Sequence, residues 1–353
     1  MKKILAIVSL ALCLSLLAGC AGTTVVYTDC TCDGVHTNAE TTEATKAPEV
    51  TEETVALEGA VKTGLAIVAS ATTTDATAEA EGKASYDVSL VAVLVDDNGV
   101  IVDCVIDSIG ADVTFDATGA ITGGVNANVL TKNELGFDYN MVLYTGGAAV
   151  GEWFEQAEAL ANYAVGKTME DVKNGAAGNG GYAQDVDLAT SATIYLGGYV
   201  SALEVAIANA KHLGAQAGDE LKLASINSVT EAGGLNCDAV AMTMKDGVIT
   251  SCYIDSLQAE VAYNGDGTAA AGNMKTKNDL GFDYNMELYT GGAAVGEWFE
   301  QVASFCSYVT GKTPDQVSGI AVTETTAPAE ADLVTSVTIA IGGFQALIVK
   351  AAK

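Results

Sequence analysis

Residues 131–156 read TKNELGFDYNMVLYTGGAAVGEWFEQ, and residues 276–301 read TKNDLGFDYNMELYTGGAAVGEWFEQ. The two stretches differ only at Glu134/Asp279 and Val142/Glu287. The same offset of 145 residues aligns Gly166-Lys167-Thr168 with Gly311-Lys312-Thr313. It also aligns Asp187-Leu188-Ala189-Thr190-Ser191-Ala192-Thr193 with Asp332-Leu333-Val334-Thr335-Ser336-Val337-Thr338. Solenoid repeats run about 20–50 residues, so this period is that of a whole domain. The chain reads as a tandem duplication, repeat 1 over 61–213 and repeat 2 over 214–353, each long enough for its own core.

Within each copy, strand signals come first and helix signals later. Gly64–Ser70, Tyr86–Val95 and Val100–Ile109 read as strands, with a tight turn at Asn98-Gly99. Copy two repeats that hairpin as Ala239–Met244, Asp246-Gly247 and Val248–Leu257. Second hairpins turn at Thr118-Gly119 and Asp266-Gly267. Apolar residues then recur at helical spacing over Gly151–Val165 and its counterpart, and again after Gly197-Gly198 and Gly342-Gly343. Strands followed by helices within one unit predict an α+β fold, an antiparallel sheet followed by packed helices in each copy.

The N-terminus predicts the location. Met1-Lys2-Lys3 is a positive n-region, and Ile4–Leu17 is an apolar stretch too short to span a bilayer. It ends in Leu17-Ala18-Gly19-Cys20, the pattern of a bacterial lipobox. Residues 1–19 are therefore expected to be a lipoprotein signal peptide. Lipid such as palmitate would then sit on Cys20 and anchor the chain to the extracytosolic face of a bacterial membrane. A Thr- and Glu-rich stretch fills much of residues 20–60, which read as a flexible tether. Cys30-Thr31-Cys32 and His36 in that tether lack the second cysteine pair of a zinc site, so no metal is expected.

Composition excludes several functions. The formal net charge is −29, and all sixteen basic residues are lysine, the reverse of the basic face that nucleic acid requires. The Gly-Lys-Thr triplets lack the upstream glycine of a P-loop, since positions 161 and 306 are Ala and Cys. They follow a helix signal, and Thr168 and Thr313 suit the cap of the next helix. The chain has two histidines, His36 and His212, and neither lies in a repeated block, so no histidine-dependent triad is duplicated. Asp138 with Glu152 and Glu155 are too ordinary in so acidic a chain to argue for a paired-carboxylate site. Cys104 and Cys252 sit at equivalent positions in β-patterned runs and read as buried small hydrophobes, whereas Cys237 and Cys306 have no counterpart in copy one.

The run Asp187-x-x-Thr190-Ser191-Ala192-Thr193, repeated as Asp332-x-x-Thr335-Ser336-Val337-Thr338, resembles the signature of the FMN-binding domain family. That pattern is Asp-x-x-Ser/Thr-Gly-Ala-Thr followed by a helix. The family is found in flavin-carrying subunits of membrane redox complexes and in extracytosolic electron-carrier lipoproteins. In it, a flavin transferase links FMN through its phosphate to the final threonine. The resemblance implies cofactor attachment at Thr193 and Thr338, with Asp187, Asp332, Thr190, Thr335, Ser191 and Ser336 shaping the loop. Ser191 and Ser336 replace the family glycine, and Val337 replaces its alanine. From the residues themselves, a helix N-terminus is the expected counter-charge to a phosphate. Trp153 and Phe154 read as core. Tyr139 and Tyr144, and with them Tyr284, either join that core or line a pocket for a flat ring.

These expectations make the chain an electron carrier or binding protein rather than a turnover enzyme, with FMN as cofactor and membrane redox proteins as partners. The alternative is a non-catalytic surface module that binds a small ligand or an envelope partner through the repeated Tyr- and Gly-rich block.

Overall fold

A computed structural model describes residues 59–178 and 180–353. The signal, the lipobox at Cys20, most of the tether and the Cys30/Cys32/His36 cluster lie outside the described residues. The layering follows from strand β2 (Gly82–Val95), whose run Leu90–Val95 is apolar and buried at every position. Alternate residues of a strand point to opposite faces, so this strand is covered on both sides. Leu90, Ala92 and Leu94 enter one core cluster, while Val91 and Val93 enter another.

β2 is flanked by β1 (Lys62–Thr74) and β3 (Ile101–Phe115) in an antiparallel sheet, with the short β4 (Ile121–Gly123) beyond β3. The helical half follows: α1 (Lys132–Leu135), a 3-10 turn (Gly136–Tyr139), α2 (Met141–Tyr144), α3 (Trp153–Ala164), α4 (Met169–Ala176), α5 (Val186–Ser191) and α6 (Gly197–Ala208). Copy two follows the same order, without a counterpart of α5 and with its last hairpin as a separate sheet. Strands β5 (Glu220–Val229), β6 (Leu235–Lys245) and β7 (Val248–Ala259) form a second antiparallel sheet, and β8 (Val261–Tyr263) pairs with β9 (Ala269–Ala271). Helices α7 (Lys277–Leu280), α8 (Met286–Tyr289), α9 (Trp298–Val309), α10 (Pro314–Ser318) and α11 (Gly342–Ala351) follow. The expected α+β class with antiparallel sheets is what the structure has.

The inner faces of the two sheets pack on each other. Leu65, Ile67, Leu90 and Leu94 from the first sheet share one buried layer with Leu235, Cys237, Ala239 and Leu257 from the second. Helices α3 and α6 cover the outer face of the first sheet, and α9 and α11 that of the second. Helix α6 lies so close to β1 that a Cβ on Gly64 would stand 2.0 Å from the Ala206 carbonyl oxygen, so no larger residue fits there.

Residues 61–213 and 214–353 therefore each have an outer core of their own and hold the inner one in common. Backbone bonds also cross between them. Val229 N donates to Asn126 O at 2.7 Å and Val129 N to Asn227 O at 3.0 Å. The Tyr86 hydroxyl donates to Gly233 O at 2.8 Å, and the Thr63 and Ser251 hydroxyls meet at 2.7 Å.

The hairpins expected from Asn98-Gly99 and Asp246-Gly247 are present but differ. In copy two both turn residues have positive φ, 50° and 79°, the geometry of a two-residue primed turn. In copy one only Gly99 does, and the Asp96 carboxylate accepts from Asn98 N and Val100 N instead. The Gly-Lys-Thr triplets stop one helix and start the next. Gly166 and Gly311 have φ of 78° and 85°, and Thr168 and Thr313 cap α4 and α10 in reciprocal capping boxes.

The shared layer makes a clear prediction for the fragment 219–353. Alone, it exposes the apolar inner face of β5–β7. It is expected to self-associate or to lose its cooperative thermal transition. A monomeric fragment with a sharp transition, seen by calorimetry and sedimentation, would show that the inner layer is dispensable.

Candidate functional site

In copy one, the repeated block is pinned to the sheet by Asp107 of β3. Its carboxylate accepts from Ser108 N at 2.7 Å and from Asn133 N at 3.1 Å, and Asn133 Nδ2 donates to Ile106 O at 2.9 Å. Asp255 does the same for Asn278 in copy two. Glu152, one of the carboxylates with no expected catalytic role, is buried and structural. It accepts from Met141 N at 2.6 Å and Val142 N at 3.3 Å, and so fixes the loop ahead of α3. Glu297 repeats this on Met286 N and Glu287 N.

The threonine expected to carry the cofactor is held by a glutamine in the same block. Gln156 is fully buried on α3. Its Oε1 accepts from Thr193 N at 2.7 Å, from the Thr193 hydroxyl at 3.2 Å and from Ile194 N at 3.2 Å. Its Nε2 donates to Gly151 O at 2.7 Å. Gln301 holds Thr338 and Ile339 in the same way, with Thr338 N at 2.7 Å and its hydroxyl at 3.0 Å. Thr193 and Thr338 both remain solvent-exposed. Each threonine is thus fixed by its backbone and presented by its side chain.

Above Thr193 opens a cleft of about 700 Å³. Its wall includes Tyr139, Trp153, Thr193, Tyr195 and Tyr199, with Lys132 over the rings. The Lys132 ammonium lies 5.4 Å from the Tyr139 ring centre and 5.1 Å from that of Trp153. No carboxylate pairs with it among the described residues. The Trp153 indole N–H donates to the Tyr199 hydroxyl at 3.1 Å. Tyr182 and Tyr195 meet edge to face at the rim, 5.7 Å between centres. A cleft with aromatic walls and a lysine suits a flat small molecule with an anionic group, which the Asp87 carboxylate on the same wall opposes.

Tyr139 and Thr193, expected as site residues from distant parts of the sequence, do meet here. Asp187, Thr190 and Ser191 do not line the cleft. They lie on α5, exposed, and the Thr190 and Ser191 hydroxyls donate back to Asp187 O. The motif therefore ends a short helix of its own and does not open α6. Ser191 and Ser336 have ordinary negative φ, so the backbone needs no glycine at these positions. Ala192 and Val337 point into the outer cores, so the valine fills core space and does not crowd the turn.

In copy two, Tyr284 lies under Lys277 at 5.1 Å and Lys277 again reaches its tryptophan, Trp298, at 5.1 Å. Asp332, Thr335 and Ser336 sit in turns, with the Thr335 hydroxyl on Asp332 O. At the same offset of 145, Tyr182, Tyr195 and Tyr199 become Ala327, Ala340 and Phe344. The cation and the threonine persist, but the two rim tyrosines do not, and Phe344 lacks the hydroxyl of Tyr199.

Gln156, Lys132, Tyr182, Tyr195 and Tyr199 were not legible as site residues in the sequence. A lysine repeated in a chain so poor in cations was the available signal for Lys132. Comparison with protein families, with curated proteins and with solved structures gives no match.

Two predictions follow from this geometry. Gln156→Ala leaves Thr193 N, Ile194 N and Gly151 O without their partner and is expected to cost about 2–4 kcal/mol in denaturant unfolding. Gln301→Ala is expected to match it, and losses under about 0.5 kcal/mol would mean that water replaces the amide. Burial raises the Asp107 carboxyl to about 6, and Asp255 likewise to about 6. The unfolded carboxyl titrates near about 3.9, so the native state holds extra protons between these values. The stability that these groups contribute is present below about pH 4 and lost as pH rises through about 6. The melting temperature of Asp107→Asn, relative to wild type, should therefore climb across that window. A flat difference would show that the carboxyl is not held protonated.

Proposed function

We propose that the chain is a lipid-anchored extracytosolic flavin carrier, held at the membrane through Cys20, that binds FMN in the copy-one cleft. The observation that carries this reading is the convergence of Tyr139, Thr193 and Lys132 on one cleft, whose wall also holds Asp87. Its volume of about 700 Å³ falls within the range of about 300–1,000 Å³ usual for small-molecule sites. FMN, when bound, supplies the redox chemistry. The residues of this chain supply position and charge. Tyr139 and the rim tyrosines offer ring faces for stacking. Lys132 offers a cation to a phosphate, a role that the sequence assigned to a helix N-terminus. Gln156 fixes the backbone that presents the Thr193 hydroxyl, the atom a flavin transferase would esterify. Asp187 and Asp332 bear a like charge to the phosphate and remain outside the contact.

The two sites are not equal in this proposal. Copy two keeps Lys277, Tyr284 and Thr338 but has Ala327 and Ala340 in place of two rim tyrosines, so it offers less ring surface. A second reading, a surface module for an envelope partner, draws on the block's outermost residues. Tyr144 and Tyr289 are 94% and 93% exposed and touch neither proposed site.

Titration of the purified chain with FMN is expected to quench flavin fluorescence. Lys132→Met should weaken binding about 10- to 100-fold, the loss of one charge-assisted contact. After co-expression with a flavin transferase, intact mass should show FMN first at Thr193 and less fully at Thr338. Thr193→Ala should abolish the first adduct and Thr338→Ala the second, without unfolding the chain. A colourless protein with neither quenching nor adduct would eliminate the carrier and leave the surface module.

A further inference from the structure

A second cleft, of about 650 Å³, opens along β7 and α9 of copy two. Two thiols reach its wall, Cys252 from the outer face of β7 and Cys306 from α9. Both side chains belong to the same core cluster and line the same cleft. Both cysteines are reduced in this structure. Copy one has Cys104 at the place of Cys252, but Ala161 at the place of Cys306. The second thiol is thus peculiar to copy two, and it faces the first across the helix–sheet contact.

We propose that Cys252 and Cys306 are a dithiol pair which a low-molecular-weight disulfide, entering this cleft, converts to an intramolecular disulfide. One thiol loses its proton and attacks a sulfur of the small disulfide. A mixed disulfide forms and one small thiolate leaves. The second protein thiol then loses its proton and attacks the protein-side sulfur, closing the Cys252–Cys306 bond and expelling the second small thiolate. Protonation of the two thiolates completes the balance: two hydrogens and one electron pair move from the protein to the small disulfide, which departs as two thiols.

The geometry favours the second step over the first. Contact with Cys306 and burial hold the Cys252 thiol well above its ordinary pKa, so its resting thiolate population is low. Once the mixed disulfide exists, the resolving thiol lies on the same cleft wall, and the step is intramolecular. A mixed disulfide therefore does not accumulate. Lys211, whose ammonium lies 5.2 Å from the Tyr253 ring centre, stands at the cleft wall and gives an anionic disulfide an attractive charge; Glu300 on the same wall opposes it. The product ties α9 to β7. Cys104 and Cys237 are internal controls: both are buried and neither lines this cleft.

The test treats the full chain with glutathione disulfide, alkylates under denaturing conditions and maps the peptides by mass. The Cys252 and Cys306 peptides are expected to appear cross-linked, two hydrogens lighter, while Cys104 and Cys237 are alkylated. Cys306→Ala, which installs the residue found in copy one, should abolish the cross-link. Free alkylation of both Cys252 and Cys306 after exposure would overturn the proposal. So would a glutathione adduct that persists on either wild-type residue. The peptide map does not depend on flavin, so this result stands apart from the carrier reading.

Discussion

The apolar layer between the two sheets is the constraint from which the rest of the architecture follows. A strand such as β2, apolar on both faces over Leu90–Val95, requires cover on both sides. Copy one supplies the outer cover with α3 and α6, and copy two supplies the inner cover with its own sheet. The same arrangement viewed from copy two gives β6, flanked by α9, α11 and the first sheet. The duplication is thus completed by face-to-face packing of the sheets, and each copy lends the other the surface that it lacks. Thr63 on Ser251 and Tyr86 on Gly233 add hydrogen bonds to that contact and fix its register.

The outer layers hold the repeated block and the late threonine, and neither copy shares them with the other. In each copy the link from the helical block to the late threonine is a single buried glutamine, Gln156 or Gln301, whose amide oxygen collects two backbone N–H groups and one hydroxyl. An amide suits this place. It accepts on one side and donates to Gly151 O or Gly296 O on the other, whereas a glutamate could not donate. This explains why the glutamine belongs to the repeated block although it touches residues some 37 positions away.

The strands and the main helices were readable because their patterns are strong: apolar runs bounded by Asp-Gly and Asn-Gly turns, then helical spacing from Trp153 and Trp298. β5 was missed because Lys222, Ser225 and Asn227 dilute its alternation. The packing of one sheet on the other was not legible, since an apolar strand face does not name its cover. Within the site, Tyr139 and Thr193 were legible and meet. The neighbouring motif residues Asp187, Thr190 and Ser191 were read with them but turn away, because α5 is a helix of its own and its hydroxyls close on its own backbone. Gln156 and Tyr199 looked like ordinary helix residues, and only tertiary contact gives them roles.

The divergence between the copies separates what the fold needs from what a ligand would need. Asp107/Asp255, Glu152/Glu297 and Gln156/Gln301 each satisfy backbone groups, so their persistence in both copies is structural. Lys132/Lys277 forms no salt bridge among the described residues and stands over two rings in each copy. Tyr144 and Tyr289 are almost fully exposed, and packing gives no reason for their identity. The residues that differ, Tyr182/Ala327, Tyr195/Ala340 and Tyr199/Phe344, line the copy-one cleft and rim. Change has therefore fallen on the ring-bearing wall, while the cation and the presented threonine persist. Copy two can lack the rim tyrosines without loss of the fold, because none of them contributes to the layer between the sheets.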